Sequence, residues 1–174
     1  RLVNSNSYSD ALTKGYASMN DAYQDSLSNE VVRRINLNAN SAINYYQKVF
    51  RKDKLESLSL LLTLPTKYFS TVSREKRISV LDQFVTLIFE DIDDHVDKEN
   101  HTTAFETLTK LRRLPAYLDR YQKLHQEKKL SVLDDYAETL FHKVGNLIKN
   151  DDYDSAFKHL KFAENVSGYL KRYK

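Results

Sequence analysis

The sequence predicts an all-α protein: an antiparallel, solenoid-like array of helical hairpins, about seven helices forming one domain over 1–174. Three observations predict it. Two prolines and three glycines in 174 residues are too few for the tight turns of an all-β chain. Apolar residues recur at spacings of three and four through most of the sequence, the period of an amphipathic helix. The chain also matches itself when shifted by 52 residues: 12 of the 43 positions from Ser79 to Tyr121 are identical to those from Ser131 to Tyr173. A match at fixed period marks a repeat architecture.

Composition sets the outer limits. With 41% hydrophobic and 29% charged residues, the chain reads as soluble and globular rather than disordered. Its longest dense apolar run, Leu55 to Leu64, is too short to span a bilayer, and its first residues do not read as a signal peptide. The absence of cysteine excludes disulfides, thiolate metal sites and a cysteine nucleophile. Because the chain begins at Arg1 and has its one methionine at Met19, it reads as a segment of a longer protein. No compartment follows from these features.

The elements follow in order. Tyr8-Ser9-Asp10-Ala11-Leu12 resembles Tyr153-Asp154-Ser155-Ala156-Phe157, so 1–28 reads as half a repeat. The first full unit, 29–75, has a helix through Val32, Ile35, Ala39, Ile43, Tyr46 and Phe50. A second follows, in which Leu55, Leu58, Leu61, Leu64 and Pro65 align with Phe105, Leu108, Leu111, Leu114 and Pro115. In the second unit, 76–126, the stripe Val80, Leu81, Phe84, Leu87, Ile88, Ile92 and Val96 is broken by the polar stretch Asp97 to His101. A second stripe then runs from Ala104 to Tyr121. The third unit, 127–174, repeats both, with its break at Asn150 to Asp152.

Shared positions carry the expected packing: Ala104, Phe105, Leu108, Pro115, Tyr117, Leu118 and Tyr121 in one unit, and Ala156, Phe157, Leu160, Tyr169, Leu170 and Tyr173 in the next. Pro65, Pro115 and the aligned Ser167-Gly168 predict a kink or break inside the second helix, since proline there removes a hydrogen bond and clashes with the preceding turn. The duplicated Tyr-Leu-x-Arg-Tyr reads as architecture, with tyrosines packed and arginine lying over them.

At Val144-Gly145-Asn146, Asp152-Tyr153, Ala156 and Ala163 the third unit resembles a tetratricopeptide repeat. It departs from that family in a first-helix-to-turn spacing one residue short, in the lack of a matching glycine in the second unit, and in a period of 52 rather than 34. The resemblance implies a superhelical protein-binding scaffold and brings no catalytic residues with it.

Candidate chemistry is sparse. Asp91, Asp93, Asp97 and Glu99 have the alternate spacing of a calcium loop, but Val96 and Thr102 stand where that loop needs glycine and glutamate. The histidines, His95, His101, His125, His142 and His159, include no i, i+4 pair and no His-Glu-x-x-His. Glu138 and His142 share a face as an ordinary helix pair. No phosphate-cradling glycine loop or nucleophile elbow occurs. An enzyme is not expected, nor is a cofactor or metal.

Charge is the remaining clue. The net charge is +3, mild for a nucleic-acid binder. The turns joining one unit to the next are expected to carry Arg74, Lys76 and Arg77, then Lys123, Lys128 and Lys129, with Lys171, Arg172 and Lys174 at the end, lining one edge as a basic ridge facing an acidic partner. The leading expectation is a non-catalytic scaffold or adaptor that binds a protein or peptide through exposed tyrosines. Binding of nucleic acid or anionic membrane by the ridge is the alternative. A bundle holding a small apolar ligand is the second alternative.

Overall fold

The computed structural model describes residues 25–50, 52–64, 66–67, 69–166 and 172, with 25–32 described by backbone alone. Residues 1–24 of the expected half repeat, together with Pro65, Ser167, Gly168, Tyr169, Leu170, Lys171, Tyr173 and Lys174, lie outside these. Among the described residues all regular structure is α-helical, in six helices: α1 (Asp25–Val49), α2 (Lys54–Thr63), α3 (Thr71–Asp97), α4 (His101–Arg112), α5 (Tyr117–Lys149) and α6 (Tyr153–Ala163). Long helices of 25, 27 and 33 residues alternate with short ones of 10, 12 and 11. None is long and apolar enough to cross a membrane.

Each short helix begins at a side-chain cap. Asp53, Asn100 and Asp152 precede α2, α4 and α6, and each accepts a bond from the backbone N–H three residues on, at Glu56, Thr103 and Ser155. Such a cap satisfies one of the donors that a helix start leaves without an intrahelical partner. Two of the joints share one further geometry. Glu99 and Asp151 take positive φ values of 55° and 59°. The Asn100 N–H reaches back to the His95 carbonyl and the Glu99 N–H to that of Val96; Asp152 and Asp151 do the same to Leu147 and Ile148. These paired bonds close the preceding helix as a Schellman motif. The residue that completes the closure is also the cap of the next helix.

The break expected at Pro115 is present and relocates the neighbouring helix ends. The helix α4 stops at Arg112, Ala116 takes a φ of 56°, and α5 begins at Tyr117. Ala104 to Tyr121 is therefore not one helix, as its stripe suggests. The segment from Gln122 to Ser131, expected as a turn, lies inside α5, and Arg74, Lys76 and Arg77 lie inside α3 rather than in a turn. The reason is local. Gln122-Lys123-Leu124-His125-Gln126-Glu127-Lys128-Lys129-Leu130 contains no glycine or proline and is rich in good helix formers, so nothing stops the helix there.

By packing, the described residues divide into two compact units, those from 25 to 88 with 114–117, and those from 89 to 113 with 118–166 and 172. In the first, α1 buries Ile35, Ala39, Ala42, Ile43 and Tyr46, α2 buries Leu58, Leu61 and Leu62, and α3 buries Val80, Leu81, Phe84, Val85 and Ile88. Phe50 stacks on Phe84 with centroids 3.7 Å apart and planes at 20°. Ser70 caps α3 by accepting from the Ser73 N–H at 3.2 Å. Its own N–H donates to Asn36 Oδ1 at 2.6 Å, tying that cap to α1. Tyr117 is fully buried, and burial pushes its hydroxyl pKa upward.

In the second unit, Leu133, Ala137, Leu140 and Val144 of α5 form a core with Ala156 and Ala163 of α6, flanked by Phe105, Tyr136, Leu147 and Val166. Tyr136 takes His101 and Phe105 edge-on, with centroids at 5.5 and 6.1 Å.

Candidate binding surfaces

Several of the basic residues expected along one edge are engaged by groups of the chain itself. In the first unit, Arg77 donates from Nε to the Leu61 carbonyl at 2.7 Å and from Nη2 to that of Leu62 at 2.8 Å. It thereby satisfies carbonyls in the last turn of α2, where helix polarity favours a cation. Arg74 donates to the Lys67 carbonyl and Lys76 to Asn44 Oδ1.

In the second unit, Lys128 pairs with Asp93 at 2.6 Å and stands 5.4 Å from the Phe89 ring centroid. Asp93, one of the calcium-loop-like acids, is thus engaged by a lysine, and no group of three or more metal-ligating side chains exists among the described residues. Arg172 binds both oxygens of Asp134, at 2.6 and 2.7 Å. Lys123 lies 3.8 Å from Glu127 in an exposed i,i+4 pair, an arrangement that stabilises little.

The Tyr-Leu-x-Arg-Tyr segment at 117–121 turns Tyr117 and Tyr121 inward, with the Arg120 guanidinium 5.5 Å from the Tyr121 ring centroid. Leu118 is half-buried and Pro115 exposed, while Ala104, Leu108 and Ala156 are buried. Glu138 and His142 lie on the surface of α5, where His142 meets Asn146 at 3.3 Å.

Two surfaces stand out, both within the second unit. One is an open cleft of about 1020 Å³ between α4 and α5. The face of α4 that lines it carries His101, Phe105, Leu108 and Arg112, at intervals of four, three and four. The α5 face carries Leu118, Gln122, His125, Lys129, Leu133 and Tyr136 at the same kind of interval, and Phe162, Val166 and Arg172 complete the wall. Its floor is apolar with two buried imidazoles, and its rim is basic. His101 is 6% exposed, and its Nε2 finds no hydrogen-bond partner among the described residues. A buried polar atom left so costs about 1–3 kcal/mol. Burial, then the charges of Arg112 and Lys129, hold the His125 pKa below the ordinary histidine range.

Lys110, Arg112 and Arg113 were not among the basic residues singled out from sequence, although Lys129 was. Their signal was available: a cluster of cations directly before the helix-breaking Leu114-Pro115.

The other surface is the outside of the α5–α6 hairpin. The short helix α6 buries its small residues, Ala156 and Ala163, and exposes its large ones: Tyr153 is 61% exposed and Phe157 67%, with Leu160 and Phe162 also exposed. Phe157 and Leu160, expected to pack like Phe105 and Leu108, instead face solvent. On α5, Phe141 and Ile148 do likewise. Among the described tyrosines only Tyr153 is exposed, so the exposed aromatic surface is carried chiefly by phenylalanine. No family model matches the chain, and no curated protein or solved structure matches it.

Proposed function

We propose that the chain is a non-catalytic protein–protein interaction scaffold, built from helical-hairpin repeats of the tetratricopeptide-like kind. The observation that carries this reading is the outward-facing apolar strip of the α5–α6 hairpin, Phe141, Ile148, Tyr153, Phe157 and Leu160. Large apolar side chains gathered on one exposed hairpin mark a surface that another protein covers. The repeat reading is supported by the 52-residue self-match, by the alternation of long and short helices, and by the two joints of equal geometry at Glu99-Asn100 and Asp151-Asp152. Electrostatic binding of nucleic acid or membrane along a basic edge has less support, because Arg77, Lys128 and Arg172 already serve carbonyls and carboxylates of the chain itself.

The test is a Phe141→Ser/Phe157→Ser variant compared with the parent chain in affinity capture from a source-cell lysate. Both side chains are more than half exposed, so circular dichroism and the melting temperature stay close to those of the parent. Proteins retained by the parent at physiological salt are expected to be lost by the variant. Equal capture by the two would remove this face as the binding surface.

A further inference from the structure

The cleft between α4 and α5 is long, apolar at its floor and unbalanced in charge. From His101 to Arg112 the α4 wall extends about 16 Å, and from Leu118 to Tyr136 the α5 wall extends about 27 Å, at the usual helical rise. A trough of that form suits an elongated ligand better than a compact one. Phe105, Leu108, Leu133 and Tyr136 supply apolar surface along it. Around them stand Lys110, Arg112, Arg113 and Lys129, against Glu106 as the one acid among the described residues that line the cleft.

Helix polarity accounts for a cation near the end of α4. It does not account for Lys129, which lies in the middle of α5 and converges on the same opening. Burial first, and then the nearby charges of Arg112 and Lys129, lower the pKa of His125 on the cleft floor. His101 lies on the same wall, its imidazole buried and its Nε2 without a hydrogen-bond partner among the described residues.

We propose that this cleft receives an acidic amphipathic helix of a protein partner. The apolar face of that helix lies on Phe105, Leu108 and Tyr136. Its acids face Arg112, Arg113 and Lys129. This is helix-in-groove recognition, with orientation and selectivity set by charge. It rests on the scaffold reading above but uses a different surface, since neither Phe141 nor Phe157 lines the cleft.

The experiment uses the full chain and three fluorescein-labelled synthetic peptides of about 14 residues, roughly four helical turns. One has leucine and phenylalanine on one face and glutamate on the other; the second has lysine for glutamate; the third scrambles the first. Fluorescence anisotropy is expected to show saturable binding of the acidic amphipath, with the other two weaker by about tenfold or more. An Arg112→Glu/Lys129→Glu variant should reverse that preference in favour of the lysine peptide.

Equal binding of the acidic peptide and its scrambled form, or a preference untouched by the charge reversal, would overturn the proposal. So would saturable binding of laurate, lost on the charge reversal, without peptide binding; that would assign the cleft to a small amphiphile. The Phe141→Ser/Phe157→Ser variant should bind the acidic peptide like the parent, so the cleft and the α5–α6 face can fail separately.

Discussion

Asn100 joins two helices by itself. Its backbone N–H closes α3 on the His95 carbonyl, while its side chain opens α4 by accepting from the Thr103 N–H. Asp152 does the same between α5 and α6, using Leu147 and Ser155. Asn100→Ala is expected to destabilise the chain by about 1 kcal/mol, read from urea denaturation, whereas Asn100→Asp should leave it nearly unchanged. An alanine variant as stable as the parent would show that the cap contributes nothing. The breaks that hold two of these residues were legible: Asn100 and Asp152 fall inside the polar stretches 97–101 and 150–152, whereas the start at Asp53 was not read. The paired tyrosines at 117 and 121 were legible as packing for a similar reason, since an architectural role keeps a residue at one repeat position. His101 was not legible. Nothing in Asn100-His101-Thr102 distinguishes a buried imidazole from an exposed one; that depends on Tyr136, 35 positions away, meeting its ring edge-on.

At the scale of the element, the stripes correctly predicted helices but misplaced two turns. A run such as Gln122 to Leu130 looks like a linker because it is charged, yet charge does not end a helix, as Leu114-Pro115 and the polar Asp or Asn joints do. The burial within α6 was equally hidden. Tyr153, Ala156, Phe157, Leu160 and Ala163 share one helical stripe, and periodicity does not say which edge of it is covered. The alanine edge is the covered one here, beside Leu140 and Val144. In α5, Gly145 lies in the Val144-Gly145-Asn146 segment that resembles the first helix of a tetratricopeptide repeat. A Cβ placed on it would nevertheless meet nothing within 4 Å. Gly145→Ala should therefore stabilise the chain by about 1 kcal/mol through helix propensity alone. Thermal or chemical denaturation reads that gain directly, and a loss of stability would reveal a close neighbour at this site.

For the whole molecule the informative variable is pH. Burial, with Arg112 and Lys129, lowers the His125 pKa in the folded state. As pH falls below about 6.5, the unfolded chain takes up a proton on this residue before the folded chain does. The contribution of His125 is thus full above that pH and declines as pH falls toward the lower folded-state value. Melting curves from about pH 7 to about pH 5 should show a shallower decline for His125→Gln than for the parent; parallel profiles would contradict the assignment. Architecture at this scale was legible as all-helical from glycine, proline and apolar period. The two surfaces were not, because each needs side chains from separate helices or a knowledge of which helix face is covered. The hairpin joints carry a last consequence. Between Asp97 and His101 there are only Lys98, Glu99 and Asn100, and two of the three have assigned backbone roles. Such a joint has no slack, so it works as a phase lock. Substitutions on either side can accumulate without altering how α3 hands over to α4, whereas one inserted or deleted residue would rotate every downstream side chain of α4 by about 100°.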